Sequence, residues 1–240
     1  MVIVDSPDSG DHSEKVGAGR KRDLFEVLVL LIFIVPPMIG SFFVSEGDNL
    51  HFPSLAFSVL SEDLALMGLV LFFLWRNGEP LASIGWKLNG LKKETALGVA
   101  LFLPAMFGLS LAEGVFQKLG LSTHMSHLPE FLTAVGPMEM LLACVLVIVV
   151  AIVEETIFRG YLLLRFNNLT GSISASILIS SVLFSIGHGY EGPANLVTLG
   201  LLGIILALIY IRRKSLVAPT VIHMLIDFYA LVLMPLAGLK

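Results

Sequence analysis

The sequence predicts an all-α polytopic transmembrane helical bundle of about seven spans, with eight as the alternative. Three observations predict it. Of 240 residues, 56% are hydrophobic and 14% charged, and the mean hydropathy is +0.89. A soluble domain carries about 25% charged residues, so this chain lacks the polar groups to cover a water-soluble globule. The apolar residues fall into seven runs, near 24–44, 54–75, 95–116, 138–163, 173–190, 194–211 and 215–236. At about 1.5 Å per residue each can cross roughly 30 Å of hydrocarbon, the fifth and sixth only marginally. The runs also lack the alternation of barrel strands, which leaves helices to satisfy the backbone within lipid.

Residues 1–23 are polar, with Asp5, Pro7, Asp8, Gly10, Asp11 and the basic cluster Arg20–Lys21–Arg22. They read as a short disordered cytoplasmic tail, and 24–240 as one transmembrane domain. The first apolar run spans about 20 residues and lacks an A-x-A-like site, so it does not read as a cleaved signal. With the N-terminus inside, 13 Lys and Arg residues face inward and only Lys118 and Lys240 face outward. This positive-inside asymmetry orients the chain. Seven spans would leave the C-terminus outside, and one re-entrant segment would reverse that.

The connection 76–94 carries Pro80, Trp86, Lys87, Lys92 and Lys93, and is expected to lie in the interface with Trp86 as its anchor. The connection 117–137 holds His124 and His127. This pair lacks further ligands and reads as a solvated loop, because a metal site needs three or four donors. The single cysteine, Cys144, lies within an apolar run and excludes an internal disulfide. No internal repeat is visible. The partners expected are the lipid bilayer and a membrane-associated molecule, with no nucleic acid.

An ionisable side chain inside a span costs on the order of 3 kcal/mol and marks a functional position by default. The fourth run ends in Glu154–Glu155–Thr156–Ile157–Phe158–Arg159. Adjacent glutamates on a helix point about 100° apart and so have separate roles. Glu155 and Arg159 stand at i, i+4 with the acid first, the favourable order for an ion pair. Glu154 has no local partner, and an unpaired, desolvated carboxylate is a candidate general base or acid. The plain alternative is that both only anchor the end of the span.

Phe184 and His188 share one face of the fifth run, and His223 and Asp227 one face of the seventh. A histidine there is often a hydrogen-bonded packing residue, and a His–Asp pair is often a structural contact between helices. Three spans that each supply Glu, His, or His with Asp favour a shared site over three separate structural roles. Glu62–Asp63 in the second run lacks a matching histidine and reads as lying near the outer water layer. Glu113 is expected to face the interface.

These motifs, Glu154–Glu155-x-x-x-Arg159, Phe184-x-x-x-His188 and His223-x-x-x-Asp227, come in order on successive helices. Together they resemble the CAAX-protease and bacteriocin-processing intramembrane protease family, whose eukaryotic members remove the last three residues of prenylated C-a-a-X proteins. Leu81–Ala82–Ser83–Ile84–Gly85–Trp86 also resembles members of that family, more weakly. The third motif often ends in Asn, a hydrogen-bond donor, where this chain has Asp227.

The resemblance implies a transmembrane protease domain, located in a plasma membrane, that cleaves a membrane-associated peptide or protein. In it, Glu154 and His188 would activate water and His223 would stabilise the oxyanion. Asp227 would orient His223, while Glu155, Arg159 and Phe184 support the site. A metalloprotease version would hold Zn²⁺ on Glu154, His188 and His223, and a metal-free glutamate-activated water fits the same residues. The three side chains are expected around one cavity open to the inner side. Two other classes use intramembrane acids and histidines or survive without them. A proton-coupled transporter would lose proton-dependent flux with Glu154. An immunity or scaffold protein would keep its phenotype without Glu154 and His188.

Overall fold

The computed structural model describes residues 9–44, 51–87, 89–121 and 130–238. These fold into seven helices: α1 (Ser9–Ser41), α2 (Phe52–Arg76), α3 (Leu91–Lys118), α4 (Pro137–Thr170), α5 (Ile173–Ile186), α6 (Pro193–Arg213) and α7 (Val217–Leu236). No strand occurs among the described residues. All but α5 are long and apolar enough to cross a membrane. Phe107 and Trp75 are 74% and 77% exposed, which suits a lipid-facing surface and would be costly in water. The chain is a multi-pass membrane protein.

Local sequence sets the helix boundaries. Pro137 and Pro193 occupy first-turn positions of α4 and α6, where the missing N–H costs nothing. Gly171 ends α4 in the left-handed region at φ +68°, and the Ser172 side chain then accepts from the Ala175 amide to start α5. α4 and α5 therefore form a tight hairpin. α4 runs seven residues beyond the predicted 163, and α5 stops at Ile186, short of the predicted 190, in a turn at Gly189–Glu191.

Residues 155–162 of α4 are π-wound. Such a stretch shifts backbone bonds to i→i+5 and recurs at functional sites. Here the Phe158 carbonyl accepts from the Leu163 amide and also from the Ser180 hydroxyl at 2.7 Å.

The polar tail expected to be disordered is helical from Ser9, as the first turns of α1. Its charges are used in packing. Asp23 accepts from Asn168, and Arg20 donates to the Leu169 carbonyl. Glu26, fully buried, accepts from Arg76 at 2.6 Å, Asn77 at 2.8 Å, Arg165 at 3.0 Å and the Tyr161 hydroxyl. Arg165 also pairs with Glu79 at 2.9 Å. This network ties α1, α2 and α4 together at one end of the bundle. Glu94 and Arg213 pair at that end as well, and the Leu216 amide donates to the Gly85 carbonyl.

The apolar core lies above this network and draws on α1, α2, α4, α6 and α7, including Leu30, Val70, Leu162, Leu206 and Ile222. α3 packs on α7, α5 on α6 and α2 on α4. The first of these contacts needs a glycine: a Cβ at Gly98 would lie 2.7 Å from Val221 Cβ and 2.9 Å from the Ala218 carbonyl oxygen. Close approach through small residues is how helices associate in lipid. Gly98→Ala is expected to cost about 1–3 kcal/mol through overpacking, read as a lower unfolding midpoint in detergent. An unchanged midpoint would mean that α3 and α7 separate freely.

Candidate active site

The α4–α5 hairpin brings Glu154 and His188 level with each other. From Thr170 back to Glu154 is roughly 24 Å of helix, and from Ile173 up to His188 roughly 22 Å. The predicted ends at 163 and 173 put Glu154 about 14 Å and His188 about 22 Å from the hairpin turn, and this mismatch disappears because α4 continues to Thr170. Its polar residues Arg165 and Asn168 are paired, so the drop in hydropathy there does not end the helix.

The two glutamates separate as the helix geometry requires. Glu155 is fully buried and is held at 2.8 Å by Arg159 Nη1. Glu154 has a side chain 22% exposed, and its Oε2 has no hydrogen-bond partner. Arg159 is itself 1% exposed, and its guanidinium lies 4.1 Å from the centre of the Phe184 ring. That cation–π contact takes the face of the guanidinium that Glu155 leaves open. Phe184 also meets His188 and His223, at ring separations of 5.3 and 5.7 Å, the latter edge-on. Phe184 thus stands between the two histidines and fixes the orientation of both.

His223, 3% exposed, is the hub. Its Nδ1 donates to Glu155 Oε1 at 3.0 Å, since a carboxylate can only accept. Its Nε2 faces Asp227 Oδ2 at 3.3 Å and Glu154 Oε2 at 3.7 Å. An imine nitrogen and two carboxylates cannot converge as lone pairs alone, so a proton resides among these three groups. The group that orients the His223 ring through Nδ1 is therefore Glu155, held by Arg159, whereas the sequence suggested Asp227. Asp227 instead contacts the opposite nitrogen.

His188 Nδ1 donates to the Phe184 carbonyl at 3.2 Å. The neutral ring then presents Nε2 as an acceptor.

A cavity of about 380 Å³ opens on Glu154. Its walls come from residues 34–41 of α1 and Val44 just beyond it, residues 55–66 of α2, Phe131, Leu132, Ile157, Phe158 and Tyr190. It lies in the half of the bundle opposite the basic end, where the sequence reading had expected an opening on the inner side. Glu154 lines it, and His188 and His223 sit behind. Two residues undervalued in the sequence also face it, Glu62 and Asp63. Asp63 is 8% exposed, with Oδ2 unpartnered, and acts electrostatically on Glu154 and His223. It is buried near the middle of α2, on the wall of that cavity. Its apolar neighbours on α2 gave the only available signal, an acid amid a span.

Trp86, the expected interface anchor, has a partner within the bundle. It is half-buried, and its Nε1 donates to Thr156 Oγ1 at 2.9 Å, one residue from Glu155. His124 and His127 lie outside the described residues.

Among the described residues, no three His, Cys, Asp or Glu side chains gather closely enough to hold a metal ion. His223 Nδ1 donates to Glu155, a bond of the kind that orients a metal-ligating histidine, so Nε2 would be its donor atom. As placed, Glu154, His188 and His223 are not gathered into a three-donor zinc set.

Residues 136–229 match the family model of Rce1-like, type II CAAX prenyl endopeptidases. The matched segment is less than half of the chain and contains all three motifs. No curated protein and no solved structure matches. The resemblance read from the motifs is thus supported by an independent comparison, and it implies a membrane protease of CAAX-type character.

Proposed function

We propose that this chain is an intramembrane endopeptidase that hydrolyses a peptide bond in a membrane-associated substrate through a glutamate-activated water. The observation that carries the reading is the contrast between neighbouring acids: Glu155 hydrogen-bonded by Arg159 and His223, Glu154 with no hydrogen bond to Oε2, facing His223 Nε2 at 3.7 Å on the wall of a cavity.

In this reading a water sits between Glu154 and His188. Glu154 takes one proton, while His188 Nε2 accepts a hydrogen bond from the other hydrogen and orients the lone pair for attack. The water oxygen adds to the scissile carbonyl. The resulting oxyanion accepts a hydrogen bond from His223 Nε2–H, which Glu155 keeps aimed through Nδ1. Collapse of the tetrahedral species breaks the C–N bond, and the proton on Glu154 passes to the departing amine. Asp227 holds His223 in its protonated form. The buried Glu155–Arg159–Phe184 stack keeps the ring rigid, and rigidity is needed because small misplacements of a catalytic group are costly.

Residence in a plasma membrane with a cytoplasmic N-terminus belongs to the same proposal and rests on the basic end formed by Arg20, Arg76 and Arg213. The test is cleavage of a library of membrane peptides by the purified, detergent-solubilised protein, before and after dialysis against a chelator. Cleavage that persists without divalent metal is expected. Activity lost to the chelator and restored by zinc would replace this reading with a metal-centred one. Cleavage that persists in His188→Ala would remove His188 from the chemistry.

A further inference from the structure

The cavity beside Glu154 is apolar along most of its wall and acidic at one place. Glu62, Asp63 and Glu154 all line it, and among the described residues no Lys, Arg or His does. Glu154 has work in the protease reading, but Glu62 and Asp63 have none. Asp63 is the informative group. It is more than nine-tenths buried, lies against the cavity, and its Oδ2 has no hydrogen-bond partner among the described residues. Burying a carboxyl group without a partner is expensive, and such a group is retained where something arrives to satisfy it.

We infer that this cavity binds an apolar polypeptide segment carrying one basic side chain beside the scissile bond, with Asp63 and Glu62 as the cation's partners. The inference rests on the protease reading only for the word scissile. A Lys or Arg side chain suits the site because its aliphatic stem lies along wall residues such as Met38, Leu55 and Val59, while its head meets the acids. A lone substrate carboxylate would face three acids and, among the described residues of the wall, no cation. The same wall therefore rejects a free C-terminus close to the cleaved bond. In this respect the pocket differs from one built for removal of the last three residues of a chain. The cavity volume, about 380 Å³, lies in the range of sites for small ligands and admits a short stretch of chain.

The experiment uses three short leucine-rich peptides bearing a neutral dye. The first has Lys at its centre and an amidated C-terminus, the second norleucine with an amidated C-terminus, and the third norleucine with a free carboxylate. Binding to the full-length protein in detergent is read by fluorescence anisotropy. The Lys peptide is expected to bind about tenfold or more tightly than the norleucine amide, and the free carboxylate most weakly. Asp63→Asn is expected to bring the Lys preference to about onefold. Should that variant fail to fold, Glu62→Gln, at an exposed position, is expected to reduce the preference by about threefold.

Equal binding of the Lys and norleucine peptides to wild type overturns the inference, as does tighter binding of the free carboxylate or no binding of the Lys peptide. Cleavage of the same peptides separates the two readings. A Lys preference without cleavage removes the protease and keeps the pocket. Cleavage without a Lys preference does the reverse.

Discussion

Glu154→Gln is expected to lower peptide-bond cleavage by about 10²–10⁴-fold, the usual contribution of a general base, while leaving the unfolding midpoint close to wild type. The side chain keeps its size, and its Oε2 makes no hydrogen bond that the amide would lose. The neighbouring substitution is the control. Glu155→Gln removes the charge facing Arg159 at 2.8 Å and His223 at 3.0 Å, so it is expected to depress stability and activity together. The measurement is the cleavage rate of a reporter peptide beside a thermal melt, for both variants. Unchanged cleavage in Glu154→Gln would take the glutamate out of the reaction.

The second large effect lies far from the site. Glu26→Ala is expected to destabilise the protein by about 3–5 kcal/mol, because removing one member of a buried charge network leaves the others unpaired. Glu26 accepts from four side chains, and Arg165, its partner at 3.0 Å, is 1% exposed. For a chain of this size that loss corresponds to a fall in midpoint of about 10 °C, measured by intrinsic fluorescence in detergent. A midpoint equal to wild type would mean that Glu79 and Asp23 hold Arg165 without Glu26.

What the sequence made legible was local. Hydropathy located the spans, because lipid demands continuous apolar runs. Helical spacing paired Glu155 with Arg159 and set His223 against Asp227, since i and i+4 meet on any helix; Phe184 also meets His188, although α5 has ended at Ile186 and His188 stands in the turn that follows. What stayed hidden was set by packing between elements distant in the chain. The Glu155–His223 bond joins residues 68 apart, and no local pattern announces it. Glu26 and Asp63 each look like a stray acid in an apolar run until the partner helices are in place. The end of α4 was misjudged for the same reason. Arg165 and Asn168 resemble a loop by composition, yet they continue the helix because α1 and the turn after α2 supply their partners.

The origin of the cavity walls has a consequence for how the molecule can change. Most of the wall comes from residues 34–44 and 55–66, whereas the side chains proposed to react all come from the segment 136–229. On the proposed reading, chemistry and selection are written in separate stretches of one chain. A graft that exchanges the first two helices, keeping the buried contacts of Glu26, replaces the gate and leaves the scissors in place. Substrate range can drift through such exchanges at little risk to the reaction, because Glu155, Arg159 and Phe184 hold His223 from within the later segment alone.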